Sequence, residues 1–227
     1  MQPAETKRST IGFQKPVRAS GVTPVMDAPA TPRIIGAVLI VVWSVARVVF
    51  WRMARGRSVT LSDMTLRRRV LLAAVSLSLV PIYVYYFAPF LDRFSLIRPP
   101  WIGWIGDALL AAAVALFIWS HRSLGTNWTA RVDVARGQHL ITTGAYRWVR
   151  HPMYASFFLM SVALLIATAN PLVALPFGMS ITMMYVDRVG AEERIMAHEF
   201  GEPYTEYLSR TGRLFPRRCD RGPRDRR

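Results

Sequence analysis

The chain has 227 residues, of which 52% are hydrophobic, 11% aromatic and 19% charged, and it carries a formal charge of +15. Such an apolar, aromatic-rich composition is foreign to an ordinary soluble domain, so the positive balance is read first as membrane topology and not as a nucleic-acid footprint. The single cysteine, Cys219, excludes an internal disulfide and a cysteine-based metal site, and its place eight residues from the end excludes a terminal prenylation box.

Residues 1–33, rich in Pro, Ala, Thr and Ser, read as a disordered tail with no apolar run of the kind a secretory signal needs. Apolar runs follow at 34–51, 70–90 and 101–119, each close to the roughly 20 residues of a spanning helix. They make residues 34–119 a set of three N-terminal transmembrane helices. Two shorter runs, 154–169 and 171–186, are separated only by Asn170-Pro171 and read as a tilted helical hairpin. The expected fold class is therefore all-α, a polytopic membrane helical bundle of about five transmembrane helices ending in that hairpin. A basic tail, 217–227, lies along anionic headgroups.

Orientation follows from Lys and Arg near the ends of the spans. The segments 52–69, 120–153 and 187–227 hold six, five and ten, whereas the N-terminal tail, the 91–100 loop and the hairpin junction hold five, two and none. The asymmetry of 21 against 7 places the C-terminus and the long 120–153 segment in the cytoplasm. Trp51 and Trp119 then fall at cytoplasmic helix ends, and Trp101 and Trp104 at the opposite interface. Arg47 is placed to snorkel from the first helix, and Asp107, two turns into the third, reads as an interior carboxylate with a partner. Only Lys7 and Lys15 among the basic residues are lysines, a bias that fits a GC-rich bacterial genome and hence a bacterial cell membrane.

Two charged clusters flank the hairpin. The first is Tyr146-Arg-Trp-Val-Arg-His-Pro-Met-Tyr154, where Thr142, Thr143 and Gly144 provide turn chemistry and Pro152 suits the first turn of a helix. The free N–H groups of that turn suit an anion such as a carboxylate; the plainer reading is that Arg147, Trp148 and Arg150 anchor the helix at the headgroups. In the second cluster Tyr185, Arg188 and Glu192 fall at i, i+3 and i+7 on one helical face. Arg188 and Glu192 read either as a surface ion pair or as a substrate contact and a contact to an amine-bearing cofactor. Beyond them Phe200 to Tyr207 turns into an amphipathic helix that covers the same region. His121, His139, His151 and His198 lack the spacing of a zinc site, so no metal is expected. There is no Gly-x-Gly-x-x-Gly after a strand to hold a nucleotide.

The pattern His-Leu-Ile-Thr-Thr-Gly-x-Tyr-x-x-x-Arg-His-Pro-x-Tyr over 139–154, then Arg188, Glu192-Glu193, Phe200-Gly201-x-x-Tyr204-x-x-Tyr207 and Pro216, resembles the isoprenylcysteine carboxyl methyltransferase family. These are integral membrane enzymes that use S-adenosyl-L-methionine. The resemblance implies a methyltransferase core over 120–216 with a cytoplasmic cofactor-binding region. It implies cofactor contacts at Gln138, His139, Leu140, Ile141, Tyr146, His151, Pro152, Met153, Tyr154 and Glu192, and an anionic-substrate role for Arg188, making Arg188 and Glu192 the catalytic pair. Gln138 stands where eukaryotic members often have His. Tyr146 and Tyr154 are placed to face a sulfonium. The implied acceptor is lipid-like and carboxylate-bearing, of the isoprenylcysteine type or a small isoprenoid or lipid acid; the implied partners are that lipid or lipidated substrate and the bilayer, with no nucleic acid. The sequence does not specify oligomeric state.

Two other enzyme classes share parts of this pattern. A phospholipid amine N-methyltransferase would need a base to deprotonate its acceptor, for which Glu193 and Glu199 are the candidates. An NADPH-dependent sterol-reductase-like enzyme would share the Arg-His-x-x-Tyr element. A non-enzymatic scaffold leaves the Tyr, His and Glu positions without a task.

Overall fold

A computed structural model describes residues 30–54, 65–125 and 139–217. The expected tail lies outside these residues except for its last four positions, which already belong to α1 (Ala30–Ala54). Next come α2 (Leu66–Leu77), α3 (Val80–Phe87), α4 (Pro100–Leu124), α5 (Pro152–Thr168), α6 (Pro171–Phe200) and α7 (Glu202–Arg210). Four segments are long and apolar enough to cross a membrane: Thr31–Met53, Leu66–Phe87, Pro100–Leu124 and Pro171–Phe200. The fifth, α5, has 17 residues. The bundle of about five apolar helices with a terminal hairpin is thus borne out.

The run expected as one helix over 70–90 is two. Pro81 lies in the first turn of α3, where its missing N–H is tolerated, and the chain breaks at Ser78-Leu79. Ser78 compensates the break: its hydroxyl donates to the Val75 carbonyl at 2.8 Å and meets Ser180 Oγ of α6 at 3.0 Å. In the centre, Trp43 of α1 packs against Phe117 of α4 and Phe177 of α6, at 5.9 and 6.4 Å between ring centroids. Phe157 of α5 meets the same two phenylalanines. Gly106 lets α4 approach α5, since a Cβ there would come within 2.3 Å of the Ala167 backbone. Valines along the outer face of α1 are exposed, as a lipid-facing surface requires. Arg47 lies over the Trp43 ring at 5.5 Å. Asp107 is buried as expected and has the Arg98 guanidinium within electrostatic reach, although its Oδ2 has no hydrogen-bond partner among the described residues.

The tip of the α5–α6 hairpin is built on Asn170. Ala169 takes a left-handed conformation with φ 49° and ends α5. Asn170 is fully buried, its Oδ1 accepting from the Leu172 amide at 3.0 Å and its Nδ2 donating to the Leu91 carbonyl at 2.8 Å. The loop after α3 closes over this tip, with the Leu96 amide donating to the Ala169 carbonyl at 2.8 Å and Arg98 donating to the Ala167 carbonyl. Replacing Asn170 by Leu strands these buried groups, at about 1–3 kcal/mol for each one left unpaired. The Asn170→Leu protein should lose monodispersity on heating in detergent well below the parent's temperature, followed by fluorescence-detected size exclusion.

Candidate active site

At 1.5 Å per residue the 30 residues of α6 are about 45 Å long, longer than a hydrocarbon core of about 30 Å. Its first part is apolar through Val186, and Asp187, Arg188, Glu192 and Glu193 follow on the same unbroken helix. The helix itself therefore carries these charges out of the apolar layer. The expected end at residue 186 is where the polarity changes, not where the helix stops.

The loop leading into α5 meets this end of α6. Ser123, near the end of α4, accepts from the Ala145 amide at 3.1 Å and sets the start of a 3-10 turn over Gly144–Arg147. Gly144 has φ 61°, and a Cβ there would fall 2.2 Å from the Ser123 hydroxyl. After the turn, Val149 forms a parallel bridge with Gly212, in the strap that follows α7. The amides of Arg150 and His151 donate to the Gly212 and Arg213 carbonyls at 2.8 and 3.0 Å. Tyr207 of α7 secures the turn, donating its hydroxyl to the Tyr146 carbonyl at 2.7 Å. Burial pushes the Tyr207 phenol up to about 12, so it stays a donor at neutral pH.

Five of the sequence-predicted residues converge. Glu192 Oε1 pairs with Arg188 at 3.1 Å, and its Oε2 lies 3.8 Å from His151 Nδ1. Tyr146 lies within electrostatic reach: burial raises its hydroxyl above the usual phenol range, and Tyr207 and the Glu192 carboxylate raise it further. Tyr154 stands beside His151, 6.0 Å between centroids. Pro152 is buried in the first turn of α5 and Met153 is half-buried next to it. His139 is exposed and Leu140 and Ile141 are half-buried ahead of the turn; no hydrogen bond or ring contact among the described residues joins them to this cluster. Gln138 lies outside the described residues.

Several neighbours have no cofactor or substrate contact assigned to them by the resemblance. Tyr185 completes an aromatic wall, 5.2 Å from Tyr154 and 5.6 Å from Phe158; its i, i+3, i+7 relation to Arg188 and Glu192 was the available signal. Glu193 is held on three sides, by Arg150 at 2.8 Å, by Arg213 at 2.6 Å and by His151 Nε2 at 3.4 Å. The paired Glu193 in turn raises the Arg213 guanidinium above its ordinary value. Glu199 pairs with His198 at 3.7 Å, and both are exposed. Arg150 and Arg188 each keep a buried Nε with no hydrogen-bond partner among the described residues. Those two N–H groups are left to an acceptor other than the described residues. Among the described residues no group of His, Cys, Asp and Glu has the arrangement of a metal site.

Residues 105–198 match the model of the isoprenylcysteine carboxyl methyltransferase (ICMT) family. Over that segment the chain is similar to these enzymes. It is 28% identical to protein-S-isoprenylcysteine O-methyltransferase B of Arabidopsis thaliana, over 67% of this chain and 76% of that one. The human protein-S-isoprenylcysteine O-methyltransferase is 35% identical over 31% of this chain and 25% of its own length. The Dictyostelium discoideum enzyme is 29% identical over 59% and 55%. The chain thus spans three quarters of the first of these relatives, about half of the third and a quarter of the human one. Among solved structures it is similar to the eukaryotic intramembrane Ras methyltransferase ICMT, with TM-score 0.56 and 25% identity, covering 85% of this chain and 69% of that chain. The family match contains α5 and nearly all of α6, and with them Tyr146, His151, Arg188 and Glu192.

Substituting Tyr207 by Phe removes the bond to the Tyr146 carbonyl and leaves that buried acceptor short of a donor. The expected loss is about 1–2 kcal/mol, read as a lowered thermal midpoint in detergent; an unchanged midpoint would show that α7 does not secure the turn.

Proposed function

We propose that this multi-pass membrane protein transfers a methyl group from S-adenosyl-L-methionine to the carboxylate of a lipid-like acceptor, at a site on the cytoplasmic side of a bacterial cell membrane. The observation that carries the reading is Glu192, held between Arg188 and His151 beside an aromatic wall where α6 leaves the bilayer. Glu192 suits the amine or hydroxyl groups of the donor, and the unpartnered Nε of Arg150 suits an acceptor such as its carboxylate. Tyr146 and Tyr154 supply ring faces or hydroxyls for a sulfonium. When bound, this donor provides an electrophilic methyl group on cationic sulfur.

The chain's own residues then need only to orient the acceptor and keep water away. A carboxylate is already ionised at neutral pH, so no base is required. Arg188 already spends one nitrogen on Glu192, and its free Nε is left to align the acceptor carboxylate without fully neutralising it. This speaks against an amine acceptor: Glu193 is saturated by two arginines and a histidine, and Glu199 is exposed and paired with His198, so neither serves as a free base. The names of the relatives speak for a methyltransferase over an NADPH-dependent reductase.

An open groove of about 700 Å³ between α2 and α6 suits the acceptor's hydrocarbon chain. Its walls include Val70, Leu71, Met183 and Val186, and Arg67 and Asp187 pair across it at 2.6 Å, one residue from Arg188. A small isoprenoid or lipid acid fits it as well as an isoprenylcysteine does. Calorimetric titration of the detergent-purified protein with S-adenosylhomocysteine tests the reading, with NADPH as control. Saturable binding of the first is expected, abolished by Glu192→Ala and retained by Arg188→Ala. Binding of NADPH alone would replace the methyltransferase by a reductase. Filling the groove with Met183→Trp should leave S-adenosylhomocysteine affinity unchanged while lowering methyl transfer to farnesyl-bearing carboxylates more than to short-chain ones, measured with a labelled methyl donor.

A further inference from the structure

Glu192 and Glu193 are neighbours in sequence and have separate surroundings. Glu192 faces Arg188, Tyr146 and one nitrogen of His151. Glu193 turns to the other nitrogen of His151 and is otherwise enclosed by this chain's own arginines. Arg150 comes from the loop before α5, and Arg213 from the strap beyond α7, forking onto both carboxylate oxygens at 3.1 Å and 2.6 Å. The Glu193 side chain is only 12% exposed. The same two partner segments are joined to each other by backbone: Arg150 and His151 give their amides to the Gly212 and Arg213 carbonyls. Glycine at 212 leaves room for the strap's turn, since a Cβ there would lie 2.0 Å from the Phe215 carbonyl oxygen. One carboxylate thus closes a ring of α6, loop and strap around the imidazole that flanks Glu192.

We infer that Glu193 is a positioning residue: through Arg150, Arg213 and His151 it holds the donor-binding loop in register with Glu192, without itself touching donor or acceptor. The inference rests on the methyltransferase reading. Its energetic logic is that a nearly buried carboxylate with three donors is fixed in place, whereas removing its charge leaves two guanidinium groups competing for other partners. One of those, Arg150, sits one residue from His151, so the disturbance reaches the donor contacts directly. Arg213 contributes by its planar fork, which a lysine ammonium cannot reproduce.

The test uses full-length protein in detergent, as parent and as Glu193→Gln, Arg213→Ala and Arg213→Lys variants. S-adenosylhomocysteine affinity is measured by calorimetry, and exchange of the Arg150 and His151 amides by hydrogen–deuterium mass spectrometry. Glu193→Gln should weaken binding about ten-fold and speed exchange of both amides. Arg213→Ala should do the same, Arg213→Lys should fall between it and the parent, and the Glu193→Gln/Arg213→Ala pair should be no worse than either alone. Unchanged amide exchange in the variants overturns the inference, as does faster exchange with unchanged affinity, since the tie would then not shape the site. Additive losses in the double variant would give Glu193 a separate contact with the donor and also overturn it. If Glu193→Gln fails to fold, the graded Arg213 series decides between the same outcomes. A parent that does not bind S-adenosylhomocysteine removes the methyltransferase reading and this inference together, and is distinguished by appearing without any substitution.

Discussion

A helix that starts in hydrocarbon and ends in water has to change character without changing direction, and α6 is the element on which the rest of this protein depends. Its 30 residues exceed the apolar layer by several turns. The rigid helix therefore fixes Arg188, Glu192 and Glu193 at a set height above the same core that Phe177 and Ile181 occupy below. The loop before α5, α7 and the strap all dock onto that projecting end. Had α6 stopped at Val186, those charges would sit on a flexible linker and the loop would have nothing rigid to close against.

The projecting helix also solves a crowding problem. Two adjacent carboxylates repel each other, but consecutive helical residues point about 100° apart. That rotation lets each glutamate find its own cations, Arg188 for Glu192 and the Arg150–Arg213 pair for Glu193, with His151 between them. The basic surplus on this side of the bundle, which topology alone would explain, thus includes residues with defined local partners.

What was legible in the sequence follows from which interactions are local. Hydropathy located the apolar segments among the described residues, and the Asn170-Pro171 punctuation located the hairpin tip. The i, i+3, i+7 spacing put Tyr185, Arg188 and Glu192 on one face, and the structure keeps them there. Long-range partners were not legible. Nothing in the composition of residues 211–217 announces that Arg213 returns to Glu193 or that Gly212 pairs beside Val149, because both depend on the path of α7. The break at Ser78 was missed because the run stays apolar through it, although Pro81 marked the place. For Asp107 burial was legible but the neighbour, Arg98, was not, for the same reason that Arg213 was missed: burial can be read from a pattern, but the identity of a tertiary neighbour cannot.

The short fifth helix has a consequence for the membrane itself. Seventeen residues give α5 a rise of about 26 Å, less than the roughly 30 Å of an average hydrocarbon layer. A span of that length would leave the buried polar tip at Asn170 short of the far headgroups, where the loop carrying Leu91, Ser95 and Leu96 covers it. Lipids bordering this side of the bundle must shorten to meet it. Such a local pinch favours thin bilayers over thick ones and makes lipid chain length a variable that acts on the hairpin from the opposite face to the Glu192 cluster.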